Sequence, residues 1–242
     1  FNESNKNKNF ESKDKSNHLN IFIVGMPRCG STLVESIISL NKEVKDLGEI
    51  NILEKAFIES KKNNQKISLN NLYSQKLNEH AMGFQITSNK WLYNYQYVGI
   101  IANQISNSKI IHCFRNPLDN ILSITRANFD KGNYYSSSLV DCAKVYLDHS
   151  EIMEIYKKQF GKKIFNLDYD LLVSNPPKII KKLIKWLGWQ WNDRYLLPHL
   201  NERAVFTASD IQVRSPINSK SKGSWKNYKT MLEPAIKVFN HQ

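Results

Sequence analysis

The chain has 242 residues, 41% hydrophobic and 11% aromatic, with only 9 Gly and 7 Pro. That composition suits one globular domain with a sizeable core and excludes wholesale disorder, collagen-like repeats and low-complexity classes. The formal net charge of +12, from 34 Lys+Arg against 22 Asp+Glu, favours anionic partners such as nucleic acid, acidic membrane or phosphorylated small molecules.

Residues 1–20 are polar and rich in Asn and Lys, and are expected to form a disordered arm or linker, with one domain over 21–242. A chain that begins at Phe1 rather than Met is expected to be a piece of a longer protein. No stretch approaches the ~18 apolar residues of a membrane span. Cys29, Cys113 and Cys142 form no CxxC pair and are odd in number, so reduced thiols of a cytoplasmic protein are expected.

Ile21-Phe-Ile-Val24 is a short continuous apolar run and predicts a buried parallel strand. A turn over Gly25–Gly30 follows, then a helix carried by Leu33, Val34, Ile37, Ile38 and Leu40. Lys109–Phe114 predicts a second buried strand, with a helix opening near Pro117. Lys163–Leu167 predicts a third, and Pro176-Pro177 opens a helix closed by Gly188. Strands alternating with helices give an α/β fold with a mostly parallel sheet flanked by helices. Residues 193–223 are turn-rich and are expected to form a lid or binding loop.

Gly25-Met-Pro-Arg-Cys-Gly-Ser-Thr32 fits G-x4-G-[ST]-T between a strand and a helix. Backbone N–H groups and the dipole at the start of that helix can cradle a phosphate. The lysine of a nucleoside-triphosphate P-loop is missing, with Ser31 in its place. Arg28 supplies a positive charge inside the loop instead. A phosphate is expected there, and not a triphosphate held with magnesium. Arg115 stands at the carboxyl end of the second predicted strand, where ligands of open α/β sheets bind. If a helix starts near Pro117, Asp119 and Ser123 share one of its faces, and Arg115 with Ser123 could grip a second phosphate.

Taken with Gly223-Ser-Trp-Lys-Asn-Tyr228, these motifs resemble the sulfotransferases that use 3′-phosphoadenosine 5′-phosphosulfate (PAPS). Asp46-Leu-Gly-Glu49, Ser88-Asn-Lys90 and Tyr97-Val-Gly-Ile-Ile101 are similar to the bacterial enzymes fused behind tetratricopeptide-type helical repeats and to the tyrosylprotein sulfotransferases. The resemblance implies that Arg28, Cys29, Gly30, Ser31 and Thr32 hold the 5′-phosphosulfate, and that Arg115 and Ser123 hold the 3′-phosphate. It implies a place near the nucleotide for Tyr169, Trp225 and Lys226. Where many members have Gly-Arg-Trp, this chain has Gly223-Ser-Trp225, so Lys222 or Lys226 would replace the absent donor.

Sulfuryl transfer needs an activated hydroxyl, an in-line sulfate and a stabilised leaving phosphate. The resemblance implies Glu49 as general base and Lys90 as the cation at the sulfate and leaving oxygen. His80 and His112 stand behind Glu49 as bases, and His112, inside an apolar run, reads as a core residue. The expected product is 3′,5′-ADP and the expected partner a hydroxyl acceptor: carbohydrate, small alcohol, phenol or peptide tyrosine. No His/Cys/Asp cluster has ligand spacing, so no metal is expected. One alternative is a kinase or NTPase with a degenerate P-loop, in which Asp168 would bind magnesium. The other is a basic nucleic-acid binder, although no nucleic-acid motif is present.

Overall fold

The computed structural model describes residues 18–63, 66–127, 129, 133–201 and 214–240. Five strands form one parallel sheet: β1 (Leu19–Gly25), β2 (Val44–Asp46), β3 (Ile86–Asn89), β4 (Ser108–Phe114) and β5 (Ile164–Asp168), in the order β2-β3-β1-β4-β5. Nine α-helices among the described residues connect and cover them, with short 3-10 turns between: α1 (Ser31–Ile38), α2 (Ile52–Lys62), α3 (Leu69–Ala81), α4 (Val98–Gln104), α5 (Pro117–Thr125), α6 (Leu139–Phe160), α7 (Tyr169–Ser174), α8 (Pro176–Leu187) and α9 (Glu233–Asn240). None is long and apolar enough to cross a membrane.

The apolar run of β1 is buried on both faces, as its lack of alternation requires. Ile21 and Ile23 pack with Val34 and Ile37 of α1 and Ile180, Leu183 and Ile184 of α8. Phe22 and Val24 pack on the other face with Leu53, Leu72, Ile101 and Met153, from α2, α3, α4 and α6. A third cluster, with Met26, Ile121, Leu122, Cys142, Leu232 and Ala235, joins the loop after β1 to α5, α6 and α9. All three cysteines are free and buried.

β1 begins two residues before the predicted strand, inside the predicted arm. Leu19 N–H donates to Gln85 O at 2.8 Å, and Asn20 Nδ2 donates to Ser106 O at 3.1 Å, so the last two residues of the linker-like segment join the sheet. The rest of the arm, 1–17, lies outside the described residues, as do 202–213 of the predicted binding loop. α8 runs over its predicted span: Asn175 Oδ1 accepts from Lys178 N–H, Pro176 opens the helix, and Gly188 closes it at φ 85. β2 and β3 were not predicted. β3 reads Ile-Thr-Ser-Asn, yet all four residues are buried.

His112 in β4 faces His149 in α6, with ring centroids 5.1 Å apart. His149 is 2% exposed, neither of its ring nitrogens has a hydrogen-bond partner, and Tyr95 packs edge-on at 4.7 Å. Burial lowers His112 to about 4, and burial with the neighbouring His112 lowers His149 to about 3. The unfolded chain therefore binds more protons below pH 6.5. The contribution of each neutral histidine is complete above that pH and falls by about 1.4 kcal/mol per unit on acidification. His149→Phe should roughly halve this histidine-linked loss between pH 6 and pH 4, and should be more stable than the parent at pH 4. Urea unfolding at both pH values measures the difference; parallel losses would show that other groups govern the acid response.

Candidate active site

All five strands end on one edge, and each delivers a candidate residue there. The loop after β1 is held open by backbone geometry. Gly30 lies at φ 90, and a Cβ on it would overlap the ring of Tyr169. Arg28 also sits in the left-handed region, at φ 66. Asn120 Nδ2 of α5 ties the loop down by donating to Pro27 O at 2.9 Å. No side chain caps α1 and its first turn holds no acidic residue, so its leading N–H groups suit an anion. Ser31 and Thr32 begin that turn, buried. The Cys29 thiol is buried against the core, leaving its main chain to the loop. Burial raises the Cys29 thiol, but hydrogen bonds to Cys113 and Ser31, together with the Lys90 charge, leave it below its usual value.

The second motif meets the first. Arg28 Nε donates to Ser123 Oγ of α5 at 3.2 Å. Burial, and then the Arg115 guanidinium, lowers Arg28. Phe114 pairs with Asp168 across β4 and β5, so Arg115 and Tyr169 leave the sheet side by side. The guanidinium carbon lies 4.9 Å from the Tyr169 ring centroid. Arg115 is buried; its Nη2 donates to Ser221 O at 3.0 Å, while its Nε has no hydrogen-bond partner. A buried donor left unmatched is costly, so this geometry suits an acceptor supplied by a ligand.

Glu49 and Lys90 form an ion pair, with Lys90 only 1% exposed and Glu49 45% exposed. The β2–β3 ladder sets it up. Leu47 N–H donates to Ser88 O, and Lys90 N–H donates to Gly48 O, both at 2.8 Å. Asn89 Nδ2 donates to Ile50 O at 2.8 Å, and Asn94 Nδ2 donates to Asn89 Oδ1 at 2.9 Å. This chain clamps the turn carrying Glu49 against the end of β3. Burial raises the Tyr93 hydroxyl, its hydrogen bond with Tyr135 opposes that, and the Tyr95 and Glu49 charges add to the rise; its Oη lies 3.2 Å from Tyr135 Oη.

Trp225 packs partly buried in the third cluster, its N–H donating to Asp119 Oδ1 at 2.9 Å. Lys226 is exposed, and Lys222 Nζ donates to Ser174 Oγ at 2.8 Å. His80 is exposed at the end of α3, which leads to the opposite, amino end of β3. His112 is a core residue whose Nδ1 lies 3.3 Å from Asn166 Oδ1. Asp168, the magnesium ligand of the kinase reading, instead caps α7, its Oδ1 accepting from Asp170 and Leu171 N–H at 2.8 and 3.1 Å. Among the described residues, no three His, Cys, Asp or Glu side chains converge as metal ligands. The side-chain contacts of Asn89, Asn94 and Tyr93 and the carboxylate contacts of Asp119 were not anticipated, because their partners lie outside the motifs.

The model of the Sulfotransferase family matches residues 20–193. The chain belongs to that family. It is 30% identical over 241 residues to an uncharacterized protein of Aquifex aeolicus (strain VF5), covering 90% of this chain and 32% of that protein. It is 20% identical over 231 residues to a protein-tyrosine sulfotransferase of Drosophila melanogaster, covering 85% and 46%. The chain thus spans less than half of the length of these curated relatives. The sulfotransferase domain from the Synechococcus PCC 7002 olefin synthase shares the fold, with a TM-score of 0.66, 17% identity and coverage of 95% of this chain and 98% of that one. So does mouse sulfotransferase SULT7A1, solved in complex with PAP, at 0.57, 16%, 92% and 84%.

Gly30→Ala adds a Cβ against Tyr169 at a left-handed backbone position, and should cost about 2–4 kcal/mol of stability. Adding Tyr169→Ala should recover the steric part and leave about 1 kcal/mol of backbone strain. A double-mutant cycle in urea measures the coupling; additive losses would show that the ring does not set the glycine.

Proposed function

We propose that this chain transfers the sulfuryl group of PAPS to a hydroxyl acceptor. One observation carries the reading. The α1 loop with Arg28 and the second motif with Arg115 and Ser123, the two candidate anion grips, are joined by the Arg28–Ser123 hydrogen bond at 3.2 Å, beside a buried lysine paired with a carboxylate. A nucleotide with phosphates on both its 5′ and 3′ sides matches two grips, and a triphosphate does not. PAP is 3′,5′-ADP, the product such a reaction leaves, and its presence in the mouse neighbour supports the same co-substrate here. The family's residue pattern supports the remaining roles.

In this reading the loop amides and Arg28 hold the 5′ side, while Arg115 and Ser123 hold the 3′-phosphate. Glu49 accepts the acceptor hydroxyl's proton as that oxygen bonds to sulfur. The bond from sulfur to the 5′-phosphate oxygen breaks, its electron pair stays on that oxygen, and Lys90 stabilises the charge. Lys90 exchanges Glu49 for the sulfonate when the nucleotide binds, and this frees the base. The products are a sulfate ester and 3′,5′-ADP.

Thermal-shift titration tests the ligand. Stabilisation of about 2.7 kcal/mol is expected at 100-fold excess over Kd, from 3′,5′-ADP and not from ATP with magnesium; the reverse result overturns the reading. Arg115→Ala should weaken 3′,5′-ADP by about 1.5–3 kcal/mol and leave 5′-AMP, which lacks the 3′-phosphate, nearly unchanged. Equal losses would make Arg115 a purely structural residue.

Substitution separates the two catalytic groups. Glu49→Gln should keep 3′,5′-ADP affinity and lower kcat by roughly 10²–10⁴, with a smaller loss for more acidic acceptor hydroxyls. Lys90→Ala should also lower kcat, with a loss that shrinks for donors carrying a more acidic leaving group. Near-normal turnover by Glu49→Gln would remove it as the base.

A further inference from the structure

We propose that Asp119 is a positioning residue for nucleotide binding: its carboxylate latches the Ser221–Trp225 loop over Arg115, so that the 3′-phosphate grip is complete only while the latch is closed. The inference rests on the reading of Arg115 as the 3′-phosphate residue.

Asp119 is 2% exposed and lies on the first turn of α5. Both of its oxygens are taken by the main chain of a segment about a hundred residues away. Oδ2 accepts from Gly223 N–H at 2.6 Å, and Oδ1 accepts from Trp225 N–H at 2.9 Å. Gly223 lies at φ 72, a conformation natural to glycine, and the turn there presents the two N–H groups to one carboxylate. The same loop is held from its other end. Arg115 Nη2 donates to Ser221 O at 3.0 Å, and Tyr169 Oη lies 3.3 Å from Ser221 Oγ. Asp119 Oδ2 stands 4.0 Å from Arg115 Nη2. Carboxylate, guanidinium and tyrosine thus fasten five consecutive residues across the buried Arg115.

Two physical effects of this carboxylate oppose each other. Its charge, so near the guanidinium, repels an incoming phosphate. Its two charge-assisted hydrogen bonds hold the loop that walls in that phosphate. A carboxylate that served only as the counter-ion of Arg115 would weaken phosphate binding, and removing its charge would tighten it. A latch predicts the opposite sign. Asp119→Asn discriminates between the two, because it keeps the shape, removes the charge and leaves one carbonyl oxygen for two N–H groups.

The test is calorimetric titration of 3′,5′-ADP and 5′-AMP into the parent chain, Asp119→Asn and Tyr169→Phe, with hydrogen exchange followed over residues 221–228, β4 and α5. The parent is expected to prefer 3′,5′-ADP; loss of that preference in the parent overturns the nucleotide reading itself. Asp119→Asn should weaken 3′,5′-ADP about tenfold or more and leave 5′-AMP within twofold. Exchange should accelerate in 221–228 and not in β4 or α5. At saturating acceptor, KM for PAPS should rise while kcat stays within about threefold. If Asp119→Asn does not fold, Tyr169→Phe carries the test, with a smaller loss confined to 3′,5′-ADP. Unchanged or tighter 3′,5′-ADP binding, equal losses for both nucleotides, or faster exchange throughout β4 and α5 would each overturn the latch.

Discussion

A parallel sheet sends the carboxyl end of every strand to the same edge, and the candidate site depends on that constraint more than on any single motif. Arg28 follows β1, Glu49 follows β2, Lys90 follows β3, Arg115 follows β4 and Tyr169 opens the helix after β5. Register then sets the relative heights. Asn89 pairs with Phe22, so β3 stops below the end of β1, and Lys90 emerges beneath the rim, where burial is nearly complete. Gly25 pairs with Cys113 at the top of β1 and β4, and a Cβ on Gly25 would overlap the Cys113 carbonyl. Only glycine lets β1 close against its neighbour and still turn into the phosphate loop.

Convergence of Arg28, Lys90 and Arg115 on one edge raises a charge problem, which the fold answers with internal partners. Lys90 pairs with Glu49, Arg115 has Asp119 at 4.0 Å, and Arg28 donates to Ser123. Compensation is incomplete where the two arginines meet, since Arg115 depresses Arg28. An anion placed between two guanidiniums removes that repulsion and supplies the missing acceptor for Arg115 Nε. Under the proposed assignment, binding is therefore an exchange of partners. Its free energy is the difference between an internal carboxylate or hydroxyl and a phosphate oxygen, well below the Coulomb energy of three bare cations.

What the sequence disclosed follows from the same physics. β1 and β4 were legible because strands covered on both faces must be largely apolar, β5 because its Ile164, Phe165 and Leu167 still form a short apolar run, and α8 because Pro176 and Gly188 mark its ends. β3 was not. Its Thr87, Ser88 and Asn89 are buried and polar, held by the side chains of Thr87 and Asn89 and by main-chain bonds, and they leave no hydrophobic period to read. β2 has only three residues, too few for any periodicity. Glu49 and Lys90 were reached through family resemblance, because a Leu-Gly-Glu turn and a lysine after a polar run carry no spacing signal of their own. Asp119 stood visible within the Arg115 motif, but its partners are main-chain N–H groups on a distant loop, and an amide has no sequence signature.

The absent P-loop lysine has a structural counterpart in this arrangement. A lysine on α1 would approach the 5′ side from the loop, remote from the β2 turn that carries the proposed base. The cation here comes from β3, which pairs with both β1 and β2. From that strand Lys90 bears on the loop, where its charge is felt by Cys29, and it also reaches Glu49. One buried ammonium thus stands between the group that would take the acceptor's proton and the loop that would hold the leaving phosphate. Under the proposed assignment, a lysine so placed would couple the two ends of an in-line transfer: a ligand oxygen that draws it toward the loop would also release the carboxylate. Under the proposed assignment, placing the cation on the neighbouring strand instead of the helix would make it a link between donor and acceptor, and its position follows from the strand order.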